Sequence, residues 1–326
     1  MDRETLEGSK ISEPLFDDGR GVPMDNNKFH GIFTALVTPM DERLEVDTES
    51  LERLVEYQIA QGIQGFYVGG STAEGFILTS EERMKVLETV IHAAKGRVTI
   101  LAHVGCISTL ESIKLARHAE SAGADAVSAV VPFYYKAGPQ EIRDHYRSIM
   151  SSVSLPMIMY HYPGATGVQL SLDFYEDMAR SAQCIGVKFT SMNLFEMQQI
   201  RSRCGGDWII WNGHDEVCAA GFLMGSDGAI GSTFNMMPKI FTRMYQARSA
   251  NDWMNVKALQ EQANLVIAHM LRFDVIPYEK HILYLQGVIR CPAVRQPLQQ
   301  LTDAQKAEIA EFYASSPVLV QTGISS

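Results

Sequence analysis

The sequence predicts a parallel (β/α)8 barrel, a TIM barrel of the α/β class, with a helical C-terminal extension. Three observations carry that expectation. Short apolar runs of strand type alternate with longer stretches of helical period from Gly31 to Ala250 without interruption. Eight such pairs can be read, too many for an open sheet of ordinary size and the right number for a closed barrel. The residues with distinctive chemistry stand just after the apolar runs, where a parallel barrel collects its active site.

Taken in order, Ile32–Val37 reads as the first strand and Thr48–Gln61 as its helix, with Leu51, Leu54, Val55 and Ile59 on one face. Gly65–Val68 is the second strand, running into Gly69-Gly70-Ser71-Thr72-Ala73-Glu74-Gly75; Ser80–Lys95 follows as a helix with Ser80 its expected N-cap. Val98–Val104 is the third strand, and Ser108–Ala122 opens on a capping-box pattern from Ser108 to Glu111. Ala124–Val131 ends in Pro132-Phe133-Tyr134-Tyr135 and precedes the helix Gln140–Ser151. Pro156–Tyr160 continues into His161-Tyr162-Pro163-Gly164-Ala165-Thr166-Gly167, then the helix Leu172–Ser181. Cys184–Phe189 and Leu194–Arg203 form the sixth pair, and Trp208–Trp211 and Val217–Met224 the seventh. Asp227–Ile230 and Pro238–Ala250 complete the eighth.

Outside the barrel, residues 1–30 are rich in Asp, Glu, Gly and Asn and read as a flexible arm rather than a signal peptide. Residues 251–326 carry helical stretches near Trp253–Phe273, Tyr278–Val288 and Thr302–Ser315, expected to pack on the barrel or form an oligomer interface. The net charge of −10 offers no basic footprint for nucleic acid or an anionic membrane. The five cysteines form no C-x-x-C pair and read as reduced, cytosolic thiols. The nine histidines lack ligand spacing, so no metal is expected, and no run is long enough to span a membrane.

Lys188 closes the apolar run Cys184–Phe189. Desolvation favours a neutral amine, and a neutral amine can attack a carbonyl. A strand-end lysine more often packs its stem and sends its head to water. The company it keeps argues otherwise: Ser71, Thr72, Tyr134, Tyr160, Asp215 and Ser232 all fall at strand ends on one rim. Gly69-Gly70-Ser71-Thr72 can bring backbone N–H groups close to a carboxylate or phosphate, though a turn needing positive φ would explain the glycines equally well. Tyr160 ends the preceding strand, about 5 Å away by strand spacing, so its phenol could relay a proton beside Lys188. A rim tyrosine held only by ring packing is the alternative. Strand alternation should turn His161 elsewhere, as a structural residue.

Together Gly-Gly-Ser-Thr-x-Glu at 69–74, Tyr160-x-x-Pro163, Gly186-Val187-Lys188 and Gly228-Ala229-Ile230-Gly231-Ser232 resemble the pyruvate-dependent class I aldolases of the dihydrodipicolinate synthase and N-acetylneuraminate lyase superfamily. The resemblance covers residues 31–300. It implies a Schiff base between Lys188 and pyruvate, proton relay by Tyr160, a carboxylate seat at Ser71 and Thr72, and no cofactor or metal. Lys188-Phe189-Thr190, Asn212-Gly213-His214-Asp215-Glu216 and Gly231-Ser232-Thr233-Phe234-Asn235 are similar to the sialate-binding segments of the lyase branch. Thr190, Gly213, Asp215, Glu216 and Ser232 would then hold the sugar hydroxyls, which need acceptors of the kind two carboxylates provide. Both acids could equally serve the N-terminus of the helix they precede. A homotetramer is implied, with Tyr134 near a neighbouring subunit.

Two departures stand out: His161 replaces the family's usual Asn, and Ala73 its Gly. The synthase branch carries an Arg shortly after Tyr-x-x-Pro, whereas Gly164-Ala165-Thr166 contains none, which argues against a synthase. The expected activity is reversible cleavage of N-acetylneuraminate to N-acetylmannosamine and pyruvate. An aldolase or dehydratase for another 2-keto-3-deoxy sugar acid is the rival within the family. An inactive ligand-binding homologue would need neither Lys188 nor Tyr160, and a phosphate-binding barrel isomerase would not need the lysine.

Overall fold

The computed structural model describes residues 26–320. The expected arm over residues 1–30 therefore lies almost entirely outside the described residues. Eight parallel strands close into a barrel: β1 (Gly31–Ala35), β2 (Gly65–Val68), β3 (Thr99–His103), β4 (Ala126–Val130), β5 (Met157–His161), β6 (Cys184–Phe189), β7 (Ile209–Asn212) and β8 (Gly228–Gly231). β8 returns to β1 with Gly31 opposite Gly228 and Thr34 opposite Gly231. Each strand is buried along its whole length, which is why the sequence shows continuous apolar runs rather than alternation.

The outer ring is α1 (Thr48–Ala60), α2 (Ser80–Ala94), α3 (Thr109–Ala122), α4 (Pro139–Met150), the short α5 (Pro163–Thr166), α6 (Leu172–Ala179), α7 (Leu194–Cys204), α8 (Cys218–Leu223) and α9 (Pro238–Ser249). Two expectations about helix starts are corrected. Thr79, not Ser80, caps α2, in a full capping box with Glu82. At α3, Ser108 accepts from the Glu111 N–H, but the Glu111 carboxylate does not return to the cap; it takes the Ser80 hydroxyl and so ties α2 to α3. Both α8 and the expected helix Val217–Met224 share a core, but Asp215–Val217 forms a separate 3-10 turn before it.

The extension consists of α10 (Trp253–Met270), α11 (Val275–Leu285), α12 (Asp303–Ser315) and α13 (Pro317–Val320). α11 begins three residues ahead of the expected Tyr278, because Asp274 precedes a first turn that accommodates Pro277. A second apolar core joins the extension to the barrel through Phe234, Phe241, Met244, Leu259 and Ile282. Each such fully buried side chain contributes about 1.5–3 kcal/mol relative to exposure. The extension is also pinned by polar contacts: Gln286 Nε2 donates to Met236 O at 2.9 Å, and Gln260 Nε2 to Asp215 O at 2.9 Å. The second of these reaches the functional rim itself.

Candidate active site

Lys188 is the penultimate residue of β6, so the register sets it opposite Tyr160 on β5 and Trp211 on β7. Its side chain is only 5% exposed. Nζ lies 4.3 Å from the Tyr160 ring centroid and 4.4 Å from that of Tyr67. Aromatic faces are a weak substitute for water around an ammonium. Burial accordingly brings the amine down to about 7, with the charge of Asp215 pulling in the opposite direction. A substantial neutral fraction at physiological pH follows.

Tyr160 is buried at the end of β5. Burial pushes its phenol up, while the hydroxyls of Ser71 and Thr190 beside it oppose that shift. Thr190 Oγ1 completes no hydrogen bond of good geometry. The Tyr160 ring is packed edge-on against Tyr67 at 5.9 Å and His103 at 5.9 Å, and stacks on Tyr162 at 6.0 Å. His161 points the other way, stacked on Phe189 at 5.3 Å and edge-on to Tyr175 at 5.8 Å. It is buried, lowered to about 4 by desolvation, and hence neutral.

The loop after β2 turns at Gly69, whose φ of +78° lies in the left-handed region that favours glycine. Inside it, Ala73 N–H and Gly75 N–H both donate to Gly70 O, at 3.2 and 3.1 Å. The N–H groups of Ser71 and Thr72 have no backbone acceptor among the described residues. Both residues are half-buried, so their hydroxyls and amides can meet a carboxylate. Glu74 anchors the loop from below through a buried ion pair with Lys280 of α11 and by accepting from the Arg295 N–H at 2.6 Å.

Asp215 is buried, and its Oδ2 accepts from Thr233 N–H at 2.9 Å and Thr233 Oγ1 at 2.7 Å. It therefore does not serve the start of α8, and part of its acceptor capacity is already committed. Burial raises it to about 6 against the pull of Thr233. Gly213 must be glycine: a Cβ there would collide with Thr190 Oγ1. Glu216 is half-buried, with His214 Nδ1 at 3.5 Å holding its carboxyl below the ordinary range. The extension positions both acids, since Gln260 Nε2 donates to Asp215 O and Asn264 Nδ2 to Glu216 O at 3.1 Å. Ser232 is half-buried at the end of β8.

The structure thus brings Lys188, Tyr160, Ser71, Thr190 and Asp215 together by direct contact or charge. Tyr134 stands apart: it is 74% exposed on the loop after β4, against an equally exposed Tyr135. Sequence reasoning missed two groups. His103, at the end of β3, lies among the rings of Tyr67, Phe76 and Tyr160; its Nδ1 is 3.2 Å from Gly69 O and its Nε2 accepts from Val130 N–H at 3.3 Å. That pattern implies the Nδ1–H tautomer, and burial holds the ring neutral. Its place at a strand end was a signal available in the sequence. Glu279 of α11 is the other, fully buried beside Ser232, and no local motif marks it.

The family model of the dihydrodipicolinate synthetase family matches residues 28–314 of this chain. N-acetylneuraminate lyase of Salmonella agona is 44% identical over 269 residues, covering 82% of this chain and 90% of that protein. The enzyme of the same name from Salmonella typhimurium is 44% identical over 268 residues, with the same coverage. Among solved structures, CdNal from Clostridium difficile, crystallised with mannosamine, superposes with a TM-score of 0.85 at 31% identity over 88% of this chain and 99% of its own. A catalytic lysine mutant of Ruminococcus gnavus sialic acid aldolase gives 0.85 at 30% over 89% and 97%. A dihydrodipicolinate synthase from Bacillus anthracis gives 0.84 at 27% over 89% and 99%.

Proposed function

The chain belongs to the dihydrodipicolinate synthetase family, and from that footing we propose that it is a class I pyruvate aldolase cleaving N-acetylneuraminate reversibly to N-acetylmannosamine and pyruvate. The observation that carries the chemistry is the buried Lys188 amine, lowered to about 7 and set 4.3 Å from the Tyr160 ring. The observation that carries the substrate is the 44% identity to N-acetylneuraminate lyases.

In the cleavage direction the neutral Lys188 amine adds to the C2 ketone of the open-chain sugar acid, and loss of water leaves a protonated imine. Ser71 and Thr72 offer their hydroxyls and backbone N–H groups to the C1 carboxylate. Tyr160 takes the proton of the C4 hydroxyl as it passes its own phenolic proton to the Ser71 oxygen, the C3–C4 bond breaks, and its electron pair moves into the imine to form an enamine, whose C3 later receives the relayed proton. Protonation at C3 and hydrolysis release pyruvate and free the amine. The Ser71 hydroxyl beside the phenol completes a path for the proton. Thr190, Gly213, Asp215, Glu216 and Ser232 are assigned to the sugar hydroxyls. No cofactor is assigned, because the imine itself is the electron sink.

An aldolase or dehydratase for another 2-keto-3-deoxy sugar acid is the second reading, since the pyruvate half would be identical. A synthase condensing a second carboxylate substrate is disfavoured by α5, whose residues Pro163–Thr166 contain no cation. A homotetramer in which exposed Tyr134 meets a neighbouring subunit, and a cytosolic location suited to five free cysteines, complete the proposal.

Borohydride reduction in the presence of pyruvate should add one pyruvate-derived mass on the peptide holding Lys188. N-acetylneuraminate should be turned over faster than shorter 2-keto-3-deoxy acids. A label on a different lysine would falsify the mechanism; faster turnover of a shorter acid would leave the mechanism and reassign the substrate.

A further inference from the structure

Glu279 and Lys280 follow one another on α11, and both are 0% exposed. Their situations differ. Lys280 Nζ is paired with Glu74 and donates to Ala293 O at 2.8 Å. Among the described residues no cation pairs with Glu279, and neither carboxyl oxygen completes a hydrogen bond of good geometry. Its carboxyl faces the Ser232 hydroxyl, and the charge acting on it is that of Asp215. Ser232 itself is half-buried, following β8 at the strand end.

A carboxylate buried without a counter-ion, with another carboxylate nearby, is strongly disfavoured. Packing does not account for it either. The other buried positions of α11 include Tyr278, Ile282 and Leu283 as well as the polar Lys280 and His281, and with Lys280 committed to Glu74 an apolar side chain at 279 would cost less. An uncharged carboxyl, by contrast, is a hydrogen-bond donor as well as an acceptor. We propose that Glu279 is a positioning residue of the sugar-binding rim: its carboxyl donates to the Ser232 oxygen and so leaves the serine O–H free to donate to an oxygen of the sugar chain. The proposal rests on the assignment of Ser232 to that chain.

Burial raises Glu279 to about 8 and Asp215 to about 6, so between those values one carboxyl of the pair is charged and the other is not. Among the described residues, Asp215 feels Glu216 and Lys188 and faces the buried Cys218 of α8; on α11 Lys280 is committed to Glu74; from α12, Lys306 acts on His281. Above about pH 8, Glu279 loses its proton and can only accept, which turns the Ser232 O–H back toward α11 and away from substrate.

The test compares full-length Glu279→Gln and Glu279→Met with wild type in N-acetylneuraminate cleavage from pH 6 to 9. Glu279→Met should raise KM about ten-fold at pH 7, the scale of one lost hydrogen bond, with pyruvate trapping on Lys188 unchanged and Tm equal or higher. Glu279→Gln keeps a donor and should recover most of that loss while abolishing the decline in kcat/KM above about pH 8. Unchanged KM in Glu279→Met, or equal impairment in both variants at pH 7, would overturn the proposal. If wild type does not cleave N-acetylneuraminate at all, the functional reading fails separately. Infrared spectroscopy then decides Glu279: a carboxylic-acid carbonyl band at pH 7 that Glu279→Gln removes supports the donor, and its absence refutes it.

Discussion

Among the described residues two lysines are buried, and they are built for opposite ends. Lys188, on β6, faces the rings of Tyr67 and Tyr160 and forms no ion pair among the described residues. Lys280, on α11, is more deeply buried yet paired with Glu74, which accepts in turn from the Arg295 N–H. Desolvation pulls both amines down; at Lys280 the carboxylate opposes the fall directly, whereas at Lys188 Asp215 acts only as a charge at longer range. Burial by itself therefore does not make a nucleophile. What distinguishes the two is whether the amine's lone pair is reachable and its charge unneeded. Lys280 holds the loop that carries Ser71 and Thr72, while Lys188 is the amine that the proposed mechanism assigns to attack on the carbonyl.

The sharpest way to break the comparison is to give both positions a Met. Lys188→Met should lower turnover by at least about a thousand-fold, the scale seen when a covalent nucleophile is removed, and leave Tm equal or higher. Because the folded amine titrates near 7 and the ordinary value is 10.5, the unfolded chain binds more protons across that window. Wild-type stability relative to Lys188→Met should thus rise with pH through it, as urea titrations at several pH values would show. Tyr160→Phe keeps the ring against Tyr67 and His103 and removes the proton relay; kcat should drop by roughly 10²–10⁴, and near wild-type turnover would assign Tyr160 to packing.

Lys280→Met has the contrary signature. It strands Glu74 in the interior and should destabilise the fold by about 3–5 kcal/mol, read from chemical denaturation, whereas the folded fraction should still trap pyruvate on Lys188. A Lys280→Met protein of normal stability would dissolve the distinction between the two lysines. The smallest effect belongs to Asp215, whose charge raises the Lys188 amine. Pyruvate trapping in wild type should increase as pH rises through about 7. In Asp215→Asn that midpoint should move to lower pH, since the ammonium loses its favourable neighbour, and an unmoved midpoint would remove Asp215 from the electrostatics of the amine.

How much of this was legible beforehand depends on whether a residue acts through its own strand or through a distant one. Lys188 and Tyr160 could be placed because strand ends in a parallel barrel share a rim, whereas Gly213 was named only through the family resemblance, since the Thr190 side chain that excludes a Cβ there comes from the neighbouring strand end. Ser80 was misassigned as a cap: two hydroxyl residues in succession offer the same local signal, and only the backbone conformation at Thr79 chooses between them. Asp215 and Glu216 read as rim acids, but that Thr233 already occupies one carboxyl could not be seen, because the two loops meet only when β7 and β8 are side by side.

From the sequence alone came the barrel and the order of its strands, which follow from hydrophobic period and the geometry of parallel strands; the same geometry set Lys188 and Tyr160 side by side on the rim, and their proposed roles as nucleophile and proton relay came from the family resemblance. Tertiary structure decided how those groups are tuned. The Glu74–Lys280 pair joins positions more than 200 residues apart, and Glu279 reaches Ser232 from a helix outside the barrel. Gln260 and Asn264 grip the loop of Asp215 and Glu216 from α10. None of these has a local pattern, because the ionisation of a buried group depends on which chemistry lies across from it, and that is set by packing rather than by neighbours in the chain.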